Sequence, residues 1–350
     1  MIKVLVVDDS KLIRALLMEM INGAPDMEVI GQAEDPFDAR EKIKQLNPDV
    51  ITLDVEMPKM DGLTFLKNLM RLRPMPVVML STLTAEGAPV TLEALELGAV
   101  DFLEKPKGDV VSELPMYTEV LREKLRVAAT AQVIRQTTEN QEASQRQQAL
   151  ERNWDGLKFK LNHIVAIGAS TGGTEAIKNV VTKLPAHFPP IVITQHIPPV
   201  FSTTYAQRLD RASKMKVFEA RDGQPISGGC VYVAPGDQHL RIVREGSQLT
   251  CKLDSSAPVN RHRPAVDVMF DSIEQSLAKN TTAVMLTGMG ADGAKGMLRL
   301  RQDGAYTIGQ NESSCVVYGM PKAAAEIGAV EKELALDKIA KALIQAAVKP

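Results

Sequence analysis

A chain of 350 residues is more than twice the roughly 150 residues that one domain usually takes, so two domains are expected. The composition, 45% hydrophobic and 24% charged with a mean hydropathy of −0.07, is that of a globular protein. The net charge of −2 excludes a chain built around a large basic nucleic-acid surface. That total conceals a division: residues 1–126 carry −7, residues 127–156 carry −1 and residues 157–350 carry +6.

The first half alternates apolar strands with amphipathic helices. Lys3–Val7 is an expected strand ending at Asp8-Asp9, and Ser10 caps a helix with Ile13, Leu16, Leu17 and Met20 at helical spacing. Strands follow at Val29–Ala33, at Val50–Leu53 ending in Asp54, at Val77–Leu80 ending in Ser81 and Thr82, and at Phe102–Leu103 ending in Lys105-Pro106. A helix is expected over Pro36–Leu46 and another from Leu63. Five strands interleaved with helices specify a doubly wound α/β sheet over residues 1–126. Residues 127–156 hold six glutamines between Gln132 and Gln148 and few large apolar residues, the composition of a polar linker.

A second α/β alternation fills residues 157–350. Ile164–Gly168, Ile191–Gln195, Ala283–Leu286 and Tyr306–Gly309 are expected as strands. Helices are expected at Thr174–Leu184, Val266–Leu277, Ala294–Arg301, Lys322–Ile327 and Asp337–Ala347. Val231–Val233, Leu240–Val243 and Leu249–Leu253 have the look of short antiparallel strands, and Pro198 and Pro199 are expected to stiffen a loop. The fold class is therefore a five-stranded doubly wound domain followed by a larger parallel-sheet α/β domain.

Cysteine usage and targeting signals bound the compartment. Cys230, Cys251 and Cys315 are odd in number and form no Cys-x-x-Cys, which excludes a Cys-only zinc site and argues against a disulfide framework. Asp8, Asp9, Lys11 and Arg14 interrupt any secretory leader, and no apolar run approaches the roughly 18–20 residues of a membrane span. A cytoplasmic monomer without membrane insertion is expected.

In an open parallel sheet, chemistry gathers at the carboxyl ends of the strands. There the first domain places Asp8, Asp9, Asp54, Ser81 or Thr82, and Lys105. Three converging carboxylates repel one another and suit a hard cation such as Mg²⁺, while a hydroxyl and an ammonium suit phosphoryl oxygens. Taken singly, each Asp is also an ordinary turn or cap residue. As a set they resemble a response-regulator receiver domain. The resemblance implies that Asp54 accepts a phosphoryl group from a histidine kinase and that Asp8 and Asp9, with Asp54, hold Mg²⁺. It also implies that Ser81 is the switch hydroxyl, Phe102 the switch aromatic and Lys105 a phosphoryl contact, with Lys105-Pro106 as a cis step.

In the second domain, Gly168-Ala169-Ser170-Thr171-Gly172-Gly173 follows a strand and opens a helix. It fits the Gly-x-Ser-x-Gly elbow, which exposes a nucleophilic serine, and equally a Gly-rich turn in which Ser170 only caps the helix. Of five histidines, only His196 stands at the carboxyl end of an expected parallel strand, on the edge Ser170 shares. Thr287-Gly288-Met289-Gly290-Ala291-Asp292-Gly293 ends another strand, where Asp292 is placed to orient an imidazole. Gly288, Gly290 and Gly293 also spell a dinucleotide fingerprint with Glu312 about 20 residues on, although its late place in the domain and the idle Ser170 and His196 count against that reading.

At these residues, and at Gln195-His196-Ile197-Pro198 and Arg261–Asp267, the domain resembles the catalytic domain of the CheB family of chemotaxis methylesterases. The resemblance implies a Ser170 nucleophile, a His196 general base and an orienting Asp292, with Thr171 beside the nucleophile and the Met289 N–H as oxyanion donor. The implied reaction removes methyl groups from glutamate γ-esters of chemoreceptors, with deamidation of receptor glutamines by the same chemistry. No cofactor is expected for hydrolysis. The family's receiver blocks its catalytic domain until phosphorylated, and the −7 and +6 halves suggest an electrostatic share in that block. Arg261, His262 and Arg263 are further expected to help engage an acidic receptor surface.

Overall fold

The computed structural model describes residues 1–81, 87–105, 114–133, 154 and 156–349. The chain separates into two compact units, Met1–Gln136 and Thr137–Pro350. Thr82, Pro106 and most of the glutamine-rich stretch lie outside the described residues.

The first unit runs β1 (Ile2–Val7), α1 (Lys11–Asn22), β2 (Met27–Ala33), α2 (Pro36–Leu46), β3 (Val50–Asp54), α3 (Gly62–Leu72), β4 (Val77–Ser81), α4 (Ala88–Glu96), β5 (Asp101–Glu104) and α5 (Leu114–Thr130). All neighbouring strands pair in parallel, in the order β2-β1-β3-β4-β5. Strands β3 and β4 are buried throughout, which is why they are continuous apolar runs rather than alternating ones. Helix starts follow their caps: Ser10 Oγ accepts from Ile13 N, and the Asp35 carboxylate accepts from Phe37 N and Asp38 N. Helix α5 buries Leu121, Leu125 and Ala128, so residues 127–130, expected within the linker, complete a helix.

The second unit opens with β6 (Ile164–Ala169), α6 (Gly173–Val181), β7 (Ile191–Gln195), α7 (Pro199–Ala212), β8 (Lys216–Glu219), β9 (Gln224–Pro225), β10 (Cys230–Val233), β11 (His239–Glu245) and β12 (Gln248–Asp254). It continues with α8 (Val266–Asp271), α9 (Gln275–Ala278), β13 (Thr281–Met285), α10 (Ala294–Gln302), β14 (Tyr306–Gln310), α11 (Met320–Glu326), β15 (Lys332–Leu334) and α12 (Leu336–Ala347). Seven parallel strands form one sheet in the order β15-β14-β13-β6-β7-β10-β8, and a small antiparallel sheet has the order β11-β12-β9.

Three expectations are corrected here. Cys230–Val233 is parallel, paired on both sides within the large sheet, since Val231, Tyr232 and Val233 are buried in its core. Pro199 is the first residue of α7, where a missing N–H costs nothing, rather than part of a stiff loop. The helix expected over Val266–Leu277 is broken after Asp271, because the Ser272 side chain turns back to accept from Ile242 N and to donate to Met269 O.

Both sheets reverse their strand order beside the first strand of the unit. In the first, β1 lies between β2 and β3; in the second, β6 lies between β13 and β7. A crevice opens at the carboxyl ends of strands at such a point, and both candidate sites occupy one.

Candidate functional sites at the carboxyl edges

In the first unit, the ends of β1 and β3 bring Asp8 and Asp54 together, both buried, with Asp9 exposed beside them. One carboxylate oxygen from each of the three lies within 4.8 Å of the others. Lys105, at the end of β5, sits 2.6 Å from Asp54 Oδ2 and 3.0 Å from Asp8 Oδ2. Apart from that ammonium, neither buried oxygen has a donor among the described residues. Arg14 donates to the carbonyls of Asp8 and Asp9 and so holds the acidic turn in place. Burial pushes the Asp54 carboxyl up to about 6, against the attraction of Lys105 and with the help of the Asp8 charge. A site that leaves buried carboxylate oxygens short of donors fits a hard divalent cation.

Ser81 is buried at the end of β4, its hydroxyl 3.0 Å from that of Thr91 on α4. Phe102 is half-buried, with the Lys124 ammonium 5.7 Å from its ring centre. Thr91 went unnoticed in the sequence because a threonine inside a helix carries no signal of what it faces.

In the second unit, β6 delivers Ser170 to the edge and three contacts grip its backbone. Ser170 N donates to Thr287 O at 3.0 Å, and Ser170 O accepts from Gly173 N at 2.7 Å and from Gln195 Nε2 at 2.9 Å. The turn needs a left-handed residue, which Gly172 supplies at φ +74°. His196 N donates to Ala169 O, extending the β6–β7 ladder and setting His196 beside the serine turn. His196 Nε2 lies 2.8 Å from Asp292 Oδ2, while its Nδ1 is buried with no partner among the described residues. The His262 ring stacks on that of His196, with centres 3.6 Å apart and planes 12° apart.

Asp292 is buried and heavily hydrogen-bonded. Its Oδ2 accepts from Val266 N at 2.6 Å as well as from His196, and its Oδ1 accepts from Asn260 Nδ2 at 2.7 Å and from Asp267 N at 3.3 Å. Burial pushes the carboxyl up, but the His196, Asn260 and Val266 donors outweigh it and hold Asp292 below the usual carboxylate range. Asp292 thereby caps the start of α8 from another part of the chain, where Ala265 has no capping side chain.

The 287–293 loop is packed onto the serine. A Cβ at Gly288 would stand 2.8 Å from Ser170 Cβ and 2.9 Å from Ser170 N. Gly288 therefore serves the approach of Ser170, which accounts for this glycine without a dinucleotide phosphate. Met289 is half-buried, and its N–H donates to no acceptor among the described residues. The Thr287 hydroxyl lies 3.0 Å from Thr171 O and accepts from Val317 N at 2.9 Å, tying together the loops after β6, β13 and β14.

Ser170, His196, Asp292, Thr171 and Met289 thus share one edge. Sequence reading missed Asn260, the gripping role of Gln195 and the Val316–Gly319 loop; only the Asn at the head of Asn260-Arg261-His262-Arg263-Pro264 was there to be questioned. Residues of the basic run also have partners within this unit. Arg263 pairs with Asp237 and donates to the Ser255 and Ser256 carbonyls, and His262 faces His196. Among the described residues, no helix is long and apolar enough to cross a membrane.

Comparison with known proteins agrees with this division. The CheB methylesterase family model matches residues 165–343, and the response regulator receiver domain model matches residues 4–114. A Saccharophagus degradans protein named protein-glutamate methylesterase/protein-glutamine glutaminase 2 is 53% identical over 348 residues, 99% of both chains. A Pseudomonas aeruginosa protein of the same name is 50% identical over 99% of this chain and 97% of its own. The crystal structure of the Thermotoga maritima CheB methylesterase catalytic domain matches with a TM-score of 0.51 and 42% identity, covering 52% of this chain and 97% of that one.

Proposed function

The chain belongs to the CheB methylesterase family, and from that premise we propose that it hydrolyses glutamate γ-methyl esters of chemoreceptors through Ser170, His196 and Asp292. Ser170 Oγ attacks the ester carbonyl carbon and its proton passes to His196 Nδ1, the ring nitrogen that Asp292 leaves open. The imidazolium is stabilised through Nε2–H by the ionised Asp292. The tetrahedral oxyanion forms against the unengaged Met289 N–H, a donor worth about 3–4 kcal/mol in comparable sites. Collapse breaks the C–O bond, and methanol leaves with the proton that His196 returns. Water then attacks the acyl-enzyme, giving its proton to His196 as before, and glutamate and free Ser170 are released. A receptor glutamine follows the same course with ammonia as leaving group.

The receiver unit regulates this activity by phosphorylation at Asp54, with a histidine kinase as donor. Asp8, Asp9 and Asp54 would hold Mg²⁺, which supplies charge neutralisation for phosphoryl transfer when bound. Lys105 contacts the phosphoryl oxygens, and Ser81 and Phe102 respond to them.

The observation that carries the reading is the His196–Asp292 pair with its open Nδ1, beside a serine held by three backbone contacts. Its test is methanol release from methylated receptor membranes, with and without a small-molecule phosphodonor. Ser170→Ala should abolish release, and Asp54→Asn should retain basal release but lose stimulation. Undiminished release by Ser170→Ala overturns the assignment.

A further inference from the structure

Val259 and His262 pair as a two-residue hairpin, each donating its N–H to the other's carbonyl, at 3.0 and 2.9 Å. Asn260 and Arg261 at its tip have φ of 52° and 70°, the left-handed conformation of tight hairpin turns. Asparagine tolerates that conformation better than most side-chain-bearing residues. Asn260 is exposed at this tip, yet its side-chain amide reaches the catalytic edge.

There Asn260 Nδ2 donates both of its hydrogens to carboxylates, one to Asp292 Oδ1 at 2.7 Å and one to Asp267 Oδ2 at 2.8 Å. An ionised carboxylate only accepts, so two such neighbours fix which end of the amide faces them. Asp267 is itself anchored, its Oδ1 accepting from Gly296 N at 2.7 Å. The chain of contacts therefore runs from the α10 backbone through Asp267 and Asn260 to the Asp292 oxygen that His196 does not use.

We propose that Asn260 is a positioning residue for hydrolysis: held in place by Asp267, it fixes the plane of the Asp292 carboxylate so that Oδ2 meets His196 Nε2. In this role it acts through Asp292, whose Oδ1 it holds, and not on the reacting atoms. The inference rests on the reading of Ser170, His196 and Asp292 as the catalytic set. A serine nucleophile attacks only while its base is held in one orientation, and that orientation is inherited from the carboxylate.

The test uses the full-length protein on methylated receptor membranes. Asn260→Ala should lower kcat about ten- to a hundredfold, the range expected when a buried charged acceptor loses a donor, with KM changed less than twofold. The strongly deshielded proton NMR signal of the protonated His196–Asp292 pair should shift or broaden. Asp267→Asn keeps an acceptor for Gly296 N and should cost a smaller loss of kcat. Because Asp267 acts through Asn260, the double variant should be no slower than Asn260→Ala. If Asn260→Ala does not fold, Asn260→Ser, which keeps one donor, carries the same loss confined to kcat. A wild-type kcat, a loss confined to KM, or additive losses in the double variant overturns the proposal. Ser170→Ala run alongside separates the failures: its inertness with a wild-type Asn260→Ala sinks only the role of Asn260, whereas its continued activity sinks the catalytic set.

Discussion

Asp54 and Asp292 are both buried carboxylates at the carboxyl ends of parallel strands beside a reversal of strand order, yet burial leaves them in opposite states. Asp54 is pushed up to about 6 by burial, with Lys105 opposing and the Asp8 charge reinforcing it. Asp292 is no better exposed, but it accepts from His196, Asn260 and the backbone of Val266 and Asp267, and it is held below the usual range. The difference lies in the neighbours. Around Asp292, His196, Asn260 and two backbone N–H groups outweigh the nearby carboxylate of Asp267, whereas Asp54, with one backbone N–H from Glu56 and one ammonium, faces the Asp8 charge. One edge keeps a permanent charge ready for a proton relay. The other keeps its charge under strain until a cation or a phosphoryl group reorganises it.

The largest test of this contrast is Asp292→Asn. The amide keeps the shape but cannot stabilise an imidazolium, so methanol release should fall roughly 10³–10⁴-fold, as when a triad carboxylate is neutralised. A loss below tenfold would mean that the donors around Asp292 serve folding alone. Gly288→Ala probes the steric half of the same edge. Its Cβ would stand under 3 Å from Ser170 Cβ and N, so the serine must move, and a displacement near 1 Å costs about a hundredfold. Activity within threefold of wild type would show that the loop yields instead.

Much of this edge was legible because strand ends announce themselves. Asp8, Asp54, Ser170, His196 and Asp292 each follow a short apolar run, and parallel pairing brings such positions to one side of a sheet. The helix starts were legible for a similar reason, since Ser10 and Asp35 are capping residues just ahead of helical periodicity. What stayed hidden depends on contacts distant in sequence. Asn260 reaches Asp292 across 32 positions, and Thr287 meets Val317 across 30, with no periodic pattern to advertise either. The strand over Cys230–Val233 was misjudged because four residues do not reveal how they pair, and it is flanked on one side by the nearby β8 and on the other by the more distant β7.

His163 tests whether burial without donors also dominates in the catalytic unit, now with a base instead of an acid. It is buried, its Nδ1 has no partner among the described residues, and burial with the nearby Lys160 charge pushes it down to about 4. As pH falls below about 6.5, the unfolded chain takes up a proton that the folded chain refuses until about 4. Stability of the catalytic unit should therefore decline through that window, by about 3 kcal/mol for a shift of this size. His163→Gln, which keeps a hydrogen-bonding group near Thr282 Oγ1, should flatten the decline in thermal unfolding scans. An unchanged pH slope in the variant would remove His163 as its source.

The smallest effect bears on the receiver edge. A carboxyl whose folded pKa is raised contributes its full stability below the unfolded value near 3.8 and loses it as pH rises through about 6. Above that, an ionised Asp54 is carried against burial and the Asp8 charge, so Asp54→Asn should stabilise the receiver at pH 8 in chelator. The gain is expected to be about 1–2 kcal/mol, less than the full shift implies, because Lys105 gives up one of its two carboxylate partners. Adding Mg²⁺ should stabilise the wild type more than the variant, since three carboxylates hold a divalent cation better than two. A variant less stable than wild type in chelator would show that the Lys105 pair outweighs the repulsion. The two edges would then differ in geometry but not in the sign of what burial does to them.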